Sequence, residues 1–280
     1  MAIYVTSDAH GHLRALDRAL ELAQPGAEDT LYVLGDMVDR GPDPLGVVRL
    51  VRNLPNATVL MGNHERMMLD ALLGDDPADA ESWDINGGWS TSAQLARLAQ
   101  EELIDILDWV KQLPLFAIDE IPERALIFTH AGIDAAAARA TLASWDMEPT
   151  EAYGAARASL GDLRDMMKAQ TANDLLWIRS PFWAENTGLV GTTGQGPVVV
   201  CGHTPSVSLC HYAVDAGNTG LSEELGHGIV VPVGANGSTG NVADRICIDC
   251  AAASGSDFGA VGVVRIDDGA VFYGKVEAGE

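Results

Sequence analysis

The stretch TLYVLGDMVDRG, residues 30–41, decides the fold of this chain. It begins as a short apolar run, typical of a buried strand, and ends in a glycine-bounded loop that carries Asp36, Asp39 and Arg40. A strand that delivers two carboxylates and a guanidinium at its carboxyl end predicts an α/β sheet with a site at that edge. Neighbouring strands of the same sheet should then end in the same way.

The first 61 residues repeat strand and helix in alternation. Residues 2–7 (AIYVTS) and 57–61 (ATVLM) are short apolar runs that predict strands, and residues 13–23 have the three- and four-residue spacing of an amphipathic helix. A second helical stripe begins at Leu45, between the second and third strands. This β-α-β-α-β order predicts parallel strands joined by right-handed crossovers.

Ligand-type side chains follow five of the predicted strands. The strings that carry them are SDAHG (7–11), GDMVDRG (35–41), GNHE (62–65), HAG (130–132) and GHTP (202–205). The last two follow the apolar runs ALIFT and PVVVC, which also predict strands. Because the carboxyl ends of parallel strands meet at one edge of a sheet, we expect all five strings to contribute to one site.

These strings predict a centre of two metal ions. Six side chains of mixed oxygen and nitrogen type are the candidate ligands: Asp8, His10, Asp36, Asn63, His130 and His203. Such a set suits Mn, Fe, Zn, Co or Ni and is too large for one ion. We expect Asp36 to bridge, with Asp8 and His10 on one ion and the other three ligands on the second. Two cations about 3.5–4 Å apart make hydroxide available near neutral pH for in-line attack at phosphorus.

Four further side chains suit the other half of such a reaction. Arg40 and Arg179 can donate bidentate hydrogen bonds to phosphate oxygens. His64, next to Asn63, is placed to protonate the leaving oxygen, and Asp39 is the expected partner that orients it and keeps it protonated. Glu65 has a simpler interpretation as a carboxylate at a helix start.

The composition predicts one folded domain over residues 1–280. The chain has 280 residues, of which 47% are hydrophobic and 20% charged, enough to bury a large core. Three segments interrupt the strand pattern: a helical cap at about 70–113 that includes one long amphipathic helix, an alanine-rich helical insertion at about 134–176, and a Gly-rich loop at about 215–241.

The net charge of the chain disfavours several classes of binding partner. A net charge of −23 repels nucleic acid and anionic membrane. No apolar run is long enough to span a bilayer and the start lacks a signal-peptide pattern, so we expect a cytoplasmic protein.

The pair Cys247 and Cys250 has C-x-x-C spacing, yet it stands at the end of a predicted strand, and we expect reduced, buried thiols rather than a zinc site.

Taken together, the motifs resemble the phosphoprotein phosphatase family of the calcineurin-like metallophosphoesterases, specifically its bacterial members. GDMVDRG, GNHE, HAG and GHTP stand in family order, and INGGWST (85–91) and LLWIRSPF (175–182) resemble secondary blocks of that group. The resemblance implies a four-layer α/β/β/α sandwich of two mixed sheets with a dinuclear centre, usually Mn, at the strand ends. It also implies hydrolysis of phosphomonoesters such as phosphoserine or phosphothreonine, so the expected function is that of a serine/threonine or dual-specificity protein phosphatase, with a small phosphomonoester as the other substrate class. It assigns the roles given above to the same ten residues.

The sequence departs from the family pattern in two places. Ser7 stands where the family usually has glycine, and the family block IDTG is here Ile248-Asp249-Cys250-Ala251. The second departure concerns the rim of the predicted pocket, where substrates are selected. Serine/threonine and tyrosine preference and the oligomeric state are not predicted.

Three alternatives stay open. A symmetrical diadenosine tetraphosphatase shares most of the motifs, although those enzymes typically carry Ala in place of Asp39 and Asp in place of Glu65. A catalytically silent phospho-binding module is disfavoured because every ligand, His64 and both arginines are present. A regulatory role, with the segment 215–241 docking a partner, is supported only by the length of that segment.

Overall fold

A computed structural model describes residues 1–145, 159–213 and 219–280 of the chain. Its strands are β1 (Ile3–Thr6), β2 (Thr30–Val33), β3 (Ala57–Val59), β4 (Phe116–Ile121), β5 (Arg124–Thr129), β6 (Val198–Cys201), β7 (Val231–Val233), β8 (Arg245–Cys247), β9 (Ala260–Arg265) and β10 (Ala270–Lys275). Its α-helices are α1 (Leu13–Ala23), α2 (Pro44–Asn53), α3 (Asn63–Leu73), α4 (Pro77–Trp83), α5 (Trp89–Leu95), α6 (Gln100–Lys111), α7 (Ala135–Ala143), α8 (Leu160–Lys168), α9 (Ala172–Trp177), α10 (Ser180–Ala184) and α11 (Thr219–Leu225).

The strands form two mixed sheets of five strands each, in the orders β10-β9-β1-β2-β3 and β4-β5-β6-β8-β7. In the first sheet β1, β2 and β3 are parallel, as the alternation of strand and helix predicts, and β9 and β10 add antiparallel strands at one edge. In the second sheet β5, β6 and β8 are parallel, with β4 and β7 antiparallel at the two edges.

Alternating side chains along the strands place the two sheets face to face. In β1, Val5 packs into an apolar cluster with Phe128 of β5 and Val200 of β6, whereas Tyr4 belongs to a cluster on the opposite face of its sheet. Successive side chains of a strand point to opposite faces, so each strand feeds both an inner and an outer core. The inner core therefore joins the two sheets along their whole contact.

Helices cover the two outer faces. The apolar sides of α1, α2 and α6 pack against the outer face of the first sheet, and those of α7 and α8 lie in the cluster on the outer face of the second. The architecture is thus a four-layer α/β/β/α sandwich, which confirms the predicted fold class. Both parallel sets of strands present their carboxyl ends to the same site.

The inserted segments contain more regular structure than the composition suggests. The single long helix predicted within the cap is divided into α5 and α6, because Ala99 takes an extended conformation at the start of α6. In the segment 215–241 predicted as a loop, the structure places α11, β7 and a short 3-10 turn at Gly237–Thr239. These elements are too short to show a sequence period. Residues 146–158 of the alanine-rich insertion and 214–218 lie outside the described residues.

Of the four cysteines, Cys210 is exposed and the other three are buried. Cys201, Cys247 and Cys250 are buried free thiols, and burial raises the pKa of each well above its usual value. In the part of the chain that the structure describes, no helix is both long and apolar enough to cross a membrane.

Ala251 occupies a backbone conformation that glycine prefers. It has φ 60° and ψ 37°, in the left-handed region, and it stands where the family block IDTG has its glycine. In this chain, alanine thus occupies a left-handed backbone position at which the family block has glycine. A non-glycine residue in this region is strained by about 1–2 kcal/mol.

We therefore expect Ala251→Gly to raise the free energy of unfolding by up to about 1 kcal/mol, since relief of strain exceeds the extra chain entropy of glycine. Denaturant titration measures the change. Ala252→Gly is the matched control, because Ala252 is equally buried and begins a 3-10 turn that needs no left-handed backbone. Equal destabilisation by both substitutions would contradict the prediction.

Candidate metal centre

Ligand atoms from both sheets converge at the strand ends. Two groups lie with their ligand atoms within 4.8 Å of one another: His10, Asp36 and His64, and Asp36, His130 and His203. Asp36 is common to both, with Oδ2 3.5 Å from His10 Nε2 and Oδ1 3.5 Å from His130 Nε2. This is the arrangement expected of a carboxylate shared between two cations.

Backbone carbonyls hold two of the imidazoles in the form that binds metal. His10 Nδ1 donates to the carbonyl of Val38 at 3.1 Å, and His130 Nδ1 donates to that of Leu34 at 2.7 Å. The lone pair of each Nε2 therefore faces Asp36. Burial, the largest effect, lowers the pKa of both rings, that of His130 to about 3, so both are neutral at pH 7.

The contacts of Asn63 indicate a cation at the second group, that of Asp36, His130 and His203. Asn63 Oδ1 lies 2.9 Å from His130 Nε2 and 2.8 Å from His203 Nδ1. Because His130 has already placed its proton on Nδ1, two acceptor atoms face one another at hydrogen-bond distance. A divalent ion bound by these atoms would convert that repulsion into coordination, so the donor set fits the predicted metal.

Asp8 lies outside both groups. Its two carboxylate oxygens accept the backbone N–H of His203, each at 3.1 Å, and burial followed by the charge of Asp249 raises its pKa. In this structure Asp8 positions the loop of His203. Its predicted role as a ligand of the first ion stays a prediction.

Asp249 is a buried carboxylate at the centre to which the sequence analysis assigned no role. The strands β6 and β8 are paired with Cys201 opposite Cys247, so Asp249 and His203 each stand two residues beyond a paired position. Burial raises the pKa of Asp249 to about 6. The sequence signal that could have identified Asp249 is the block Ile248-Asp249-Cys250-Ala251, which resembles the family block IDTG.

Glu65 lies at the start of α3, as expected, and its carboxylate also binds the backbone of the loop that carries Asp36. Its carboxylate accepts the backbone N–H groups of four residues, Asp36, Met37, Val38 and Gly62, at 2.8–3.2 Å. It is completely buried, and burial raises its pKa while these four hydrogen bonds oppose that shift. Glu65 thereby ties the loop that carries Asp36 to the start of α3, which carries Asn63.

His64 is hydrogen bonded to Asp39, and Asp39 is hydrogen bonded to residues of the cap. The Asp39 carboxylate lies 2.7 Å from His64 Nδ1 and accepts from Trp83 Nε1 at 2.8 Å and Thr91 Oγ1 at 2.6 Å. Asp39 raises the pKa of His64, but burial is the larger effect and lowers it. Neither Trp83 nor Thr91 was predicted as a site residue; Thr91 belongs to the INGGWST block, which was the available sequence signal.

The two arginines take different positions at the centre. Arg40 Nη1 donates to His10 Nε2 at 3.2 Å and Arg40 Nη2 donates to His64 Nε2 at 2.9 Å. Since guanidinium groups only donate, His64 Nε2 is an acceptor here and its proton lies on Nδ1, toward Asp39. Arg179 is exposed and donates to the carbonyl oxygen of His203 at 3.2 Å. Both arginines thus border the centre that they were predicted to serve.

Strained backbone is concentrated at this centre. Six of its non-glycine residues have positive φ angles between 43° and 70°: Asp8, His10, Asp36, Asp39, Arg40 and His203. Such conformations cost about 1–3 kcal/mol each and persist where the surroundings determine them. The loops at the strand ends are therefore shaped by the site.

Comparison with known proteins agrees with this geometry. A family model described as calcineurin-like phosphoesterase matches residues 1–230. A protein named symmetrical bis(5'-nucleosyl)-tetraphosphatase from Shewanella sp. (strain W3-18-1) is 33% identical over 135 residues, which cover 48% of this chain and 45% of that protein. The protein of the same name from Erwinia tasmaniensis is 34% identical over 136 residues, with the same shares. The chain spans about half the length of the curated relatives that it matches.

A solved structure shares the fold. The crystal structure of a candidate diadenosine tetraphosphatase aligns with a TM-score of 0.53 and 18% identity, covering 99% of this chain and 94% of that one. At that identity the similarity concerns the fold alone.

Glu65→Gln should lower the free energy of unfolding by roughly 2–4 kcal/mol, because the amide group would face buried N–H donors and leave some unsatisfied. Denaturant titration of metal-free protein measures the change. Glu102→Gln is the control, since Glu102 pairs with Arg49 at the surface and should matter by less than about 0.5 kcal/mol. Similar values for the two variants would mean that the loop of Asp36 does not depend on Glu65.

The shared carboxylate predicts a specific pattern of metal content. Wild-type protein loaded with Mn and desalted should hold two ions per chain by elemental analysis, His203→Ala one, and Asp36→Asn fewer than one, because Asp36 faces both groups. Exposed Asp105→Asn serves as the control for surface binding. Retention of two ions by Asp36→Asn would refute the bridging role.

Proposed function

Because the chain belongs to the calcineurin-like phosphoesterase family, a family of metal-dependent hydrolases, we propose that it cleaves the central phosphoanhydride of a dinucleoside tetraphosphate. The observation that carries a reaction at phosphorus is the Asp36 carboxylate between two groups of imidazoles. The choice of substrate class is supported by the name that the similar curated proteins share.

The protein's own residues have separate tasks in this reaction. Two divalent ions, for which we propose Mn, would supply hydroxide near neutral pH and neutralise charge on the transferred phosphoryl group. His10, His130 and Asn63 keep their lone pairs directed at the centre. Arg40 and Arg179, at its border, are the groups that can turn onto non-bridging phosphate oxygens.

A phosphomonoesterase, with a phosphorylated protein or small molecule as substrate, is the second candidate, and one observation favours it. The pair His64 and Asp39 is buried, hydrogen bonded at 2.7 Å and further fixed by Trp83 and Thr91. An alkoxide leaving group, as from phosphoserine, needs a proton from an acid, whereas a nucleotide phosphate leaves readily without one. His64 would serve as that acid only after Arg40 turns onto phosphate and Nε2 takes up a proton, since Nε2 accepts from Arg40 in this structure and burial lowers the pKa of the ring. The named relatives support the first candidate better than the second.

The two candidate reactions differ in their leaving group, so the rates on two substrates distinguish them. In Mn-loaded protein we expect wild type to hydrolyse diadenosine tetraphosphate with a higher kcat/KM than a phosphoserine peptide. His64→Asn and Asp39→Asn should lower kcat for the phosphoserine peptide about 10²–10⁴-fold but change the anhydride reaction much less. Exposed Asp105→Asn on α6 should leave both rates unchanged.

Two results would change the assignment. Preferred turnover of the phosphopeptide by wild type would replace the first candidate with the second. Metal-replete protein that binds these substrates without turnover on either would contradict both and indicate a phospho-binding module.

A further inference from the structure

An exposed tryptophan lies beside the metal centre. Trp177 is the last residue of α9, and its ring centroid is 6.1 Å from that of His203, at an interplanar angle of 85°. Its side chain is not part of the core, since the residue is 40% exposed. An aromatic ring that is exposed next to a proposed catalytic centre is a candidate surface for stacking of a substrate base.

The backbone that carries this tryptophan is firmly held. Leu175 and Leu176 are each only 2% exposed, and the Leu175 carbonyl accepts the N–H of Ala131 at 2.9 Å and the hydroxyl of Thr129 at 3.2 Å. Trp177 therefore extends from a segment anchored to the loop of His130. The indole is presented by a rigid support, which lowers the entropy cost of binding against it.

A second exposed tryptophan begins α5, near the other half of the centre. Trp89 is 60% exposed, and the segment before it is fixed to Arg40: the Gly87 carbonyl accepts Arg40 N–H at 3.1 Å and the Asn86 carbonyl accepts Arg40 Nε at 3.3 Å. Arg40 in turn contacts His10 and His64. The backbone at the start of α5, which carries Trp89, is thus tied to the His10 side of the centre, and the ring of Trp177 lies on the His203 side.

We propose that Trp177 and Trp89 are stacking platforms for the two bases of a dinucleoside polyphosphate, one platform on each side of the dinuclear centre. This inference rests on the proposed function. A molecule with a base at each end and a polyphosphate between them matches a centre bounded by one indole and one arginine on each side. Hydrolysis at the middle adds one water across a P–O–P linkage and releases two nucleoside diphosphates.

The charge of the chain makes such platforms useful. With a net charge of −23, the surface as a whole repels a polyphosphate. At the centre, attraction would come from bound metal ions and from Arg40 and Arg179. Stacking of a base on an aromatic side chain is independent of charge and adds affinity at both ends of the substrate.

The test compares substrates with and without bases. Trp177→Leu and Trp89→Leu should each raise KM for diadenosine tetraphosphate roughly tenfold, as expected for loss of one stacked base, and leave KM for inorganic tripolyphosphate within about twofold. Trp177→Phe should restore most of the affinity because it keeps a ring. Trp145→Leu is the matched control, since Trp145 is 41% exposed and lies just beyond α7, whose apolar side packs in the cluster on the outer face of the second sheet.

Equilibrium binding of adenosine diphosphate to the Mn-loaded proteins separates this inference from the proposed function. Wild type that fails to cleave the tetraphosphate, yet binds adenosine diphosphate about tenfold more tightly than Trp177→Leu does, would refute the proposed function and support the platform. Cleavage with an unchanged KM in both leucine variants would overturn the platforms and leave the function standing. Weakened phosphotyrosine binding with unchanged nucleotide binding in Trp177→Leu would also overturn them.

Discussion

The buried carboxylate of Glu65 is the constraint on which the centre depends. It collects backbone N–H groups from the exit of β2 and from the start of α3, so the loops of Asp36 and Asn63 cannot move independently. A buried carboxylate is stable only when donors surround it, and here the donors are the loop that needs to be shaped. The same interaction therefore satisfies the charge and sets the distance between the two halves of the centre.

A second layer of contacts extends this constraint outward to the cap. Asp39 connects His64 with Trp83 and Thr91, so the helices inserted between β3 and β4 determine how the imidazole is oriented. The left-handed backbone of Asp36, Asp39 and Arg40 is strain that these contacts support. Stability and chemistry are thus linked at this site, because relaxing the loops would displace the groups that act on phosphate.

The buried carboxylates of the centre favour the binding of cations. Once cations are bound, the centre favours the binding of an anionic substrate. Asp8, Asp36 and Asp249 are buried, and burial is the main cause of their raised pKa values; the charges of neighbouring carboxylates raise the pKa of Asp8 and Asp36 further, against the opposing charge of Arg40. Divalent ions would relieve this repulsion and reverse the local sign of charge. An acidic chain can then bind a phosphorylated substrate, provided that affinity is concentrated at the ions, the two arginines and the exposed indoles.

The sequence by itself determined the α/β class, the parallel β1-β2-β3 unit and the ligand-rich strings at five strand ends, because each depends on short-range periodicity and on the residue that follows a strand. It did not predict that α5 and α6 are separate helices, or that 215–241 contains α11 and β7. Only the tertiary structure decided that Glu65 holds the Asp36 loop, that Asp249 and His203 follow paired positions of neighbouring strands, and that the Trp177 ring lies nearly perpendicular to that of His203. Those contacts join residues far apart in the chain, through sheet register and packing that no local pattern encodes.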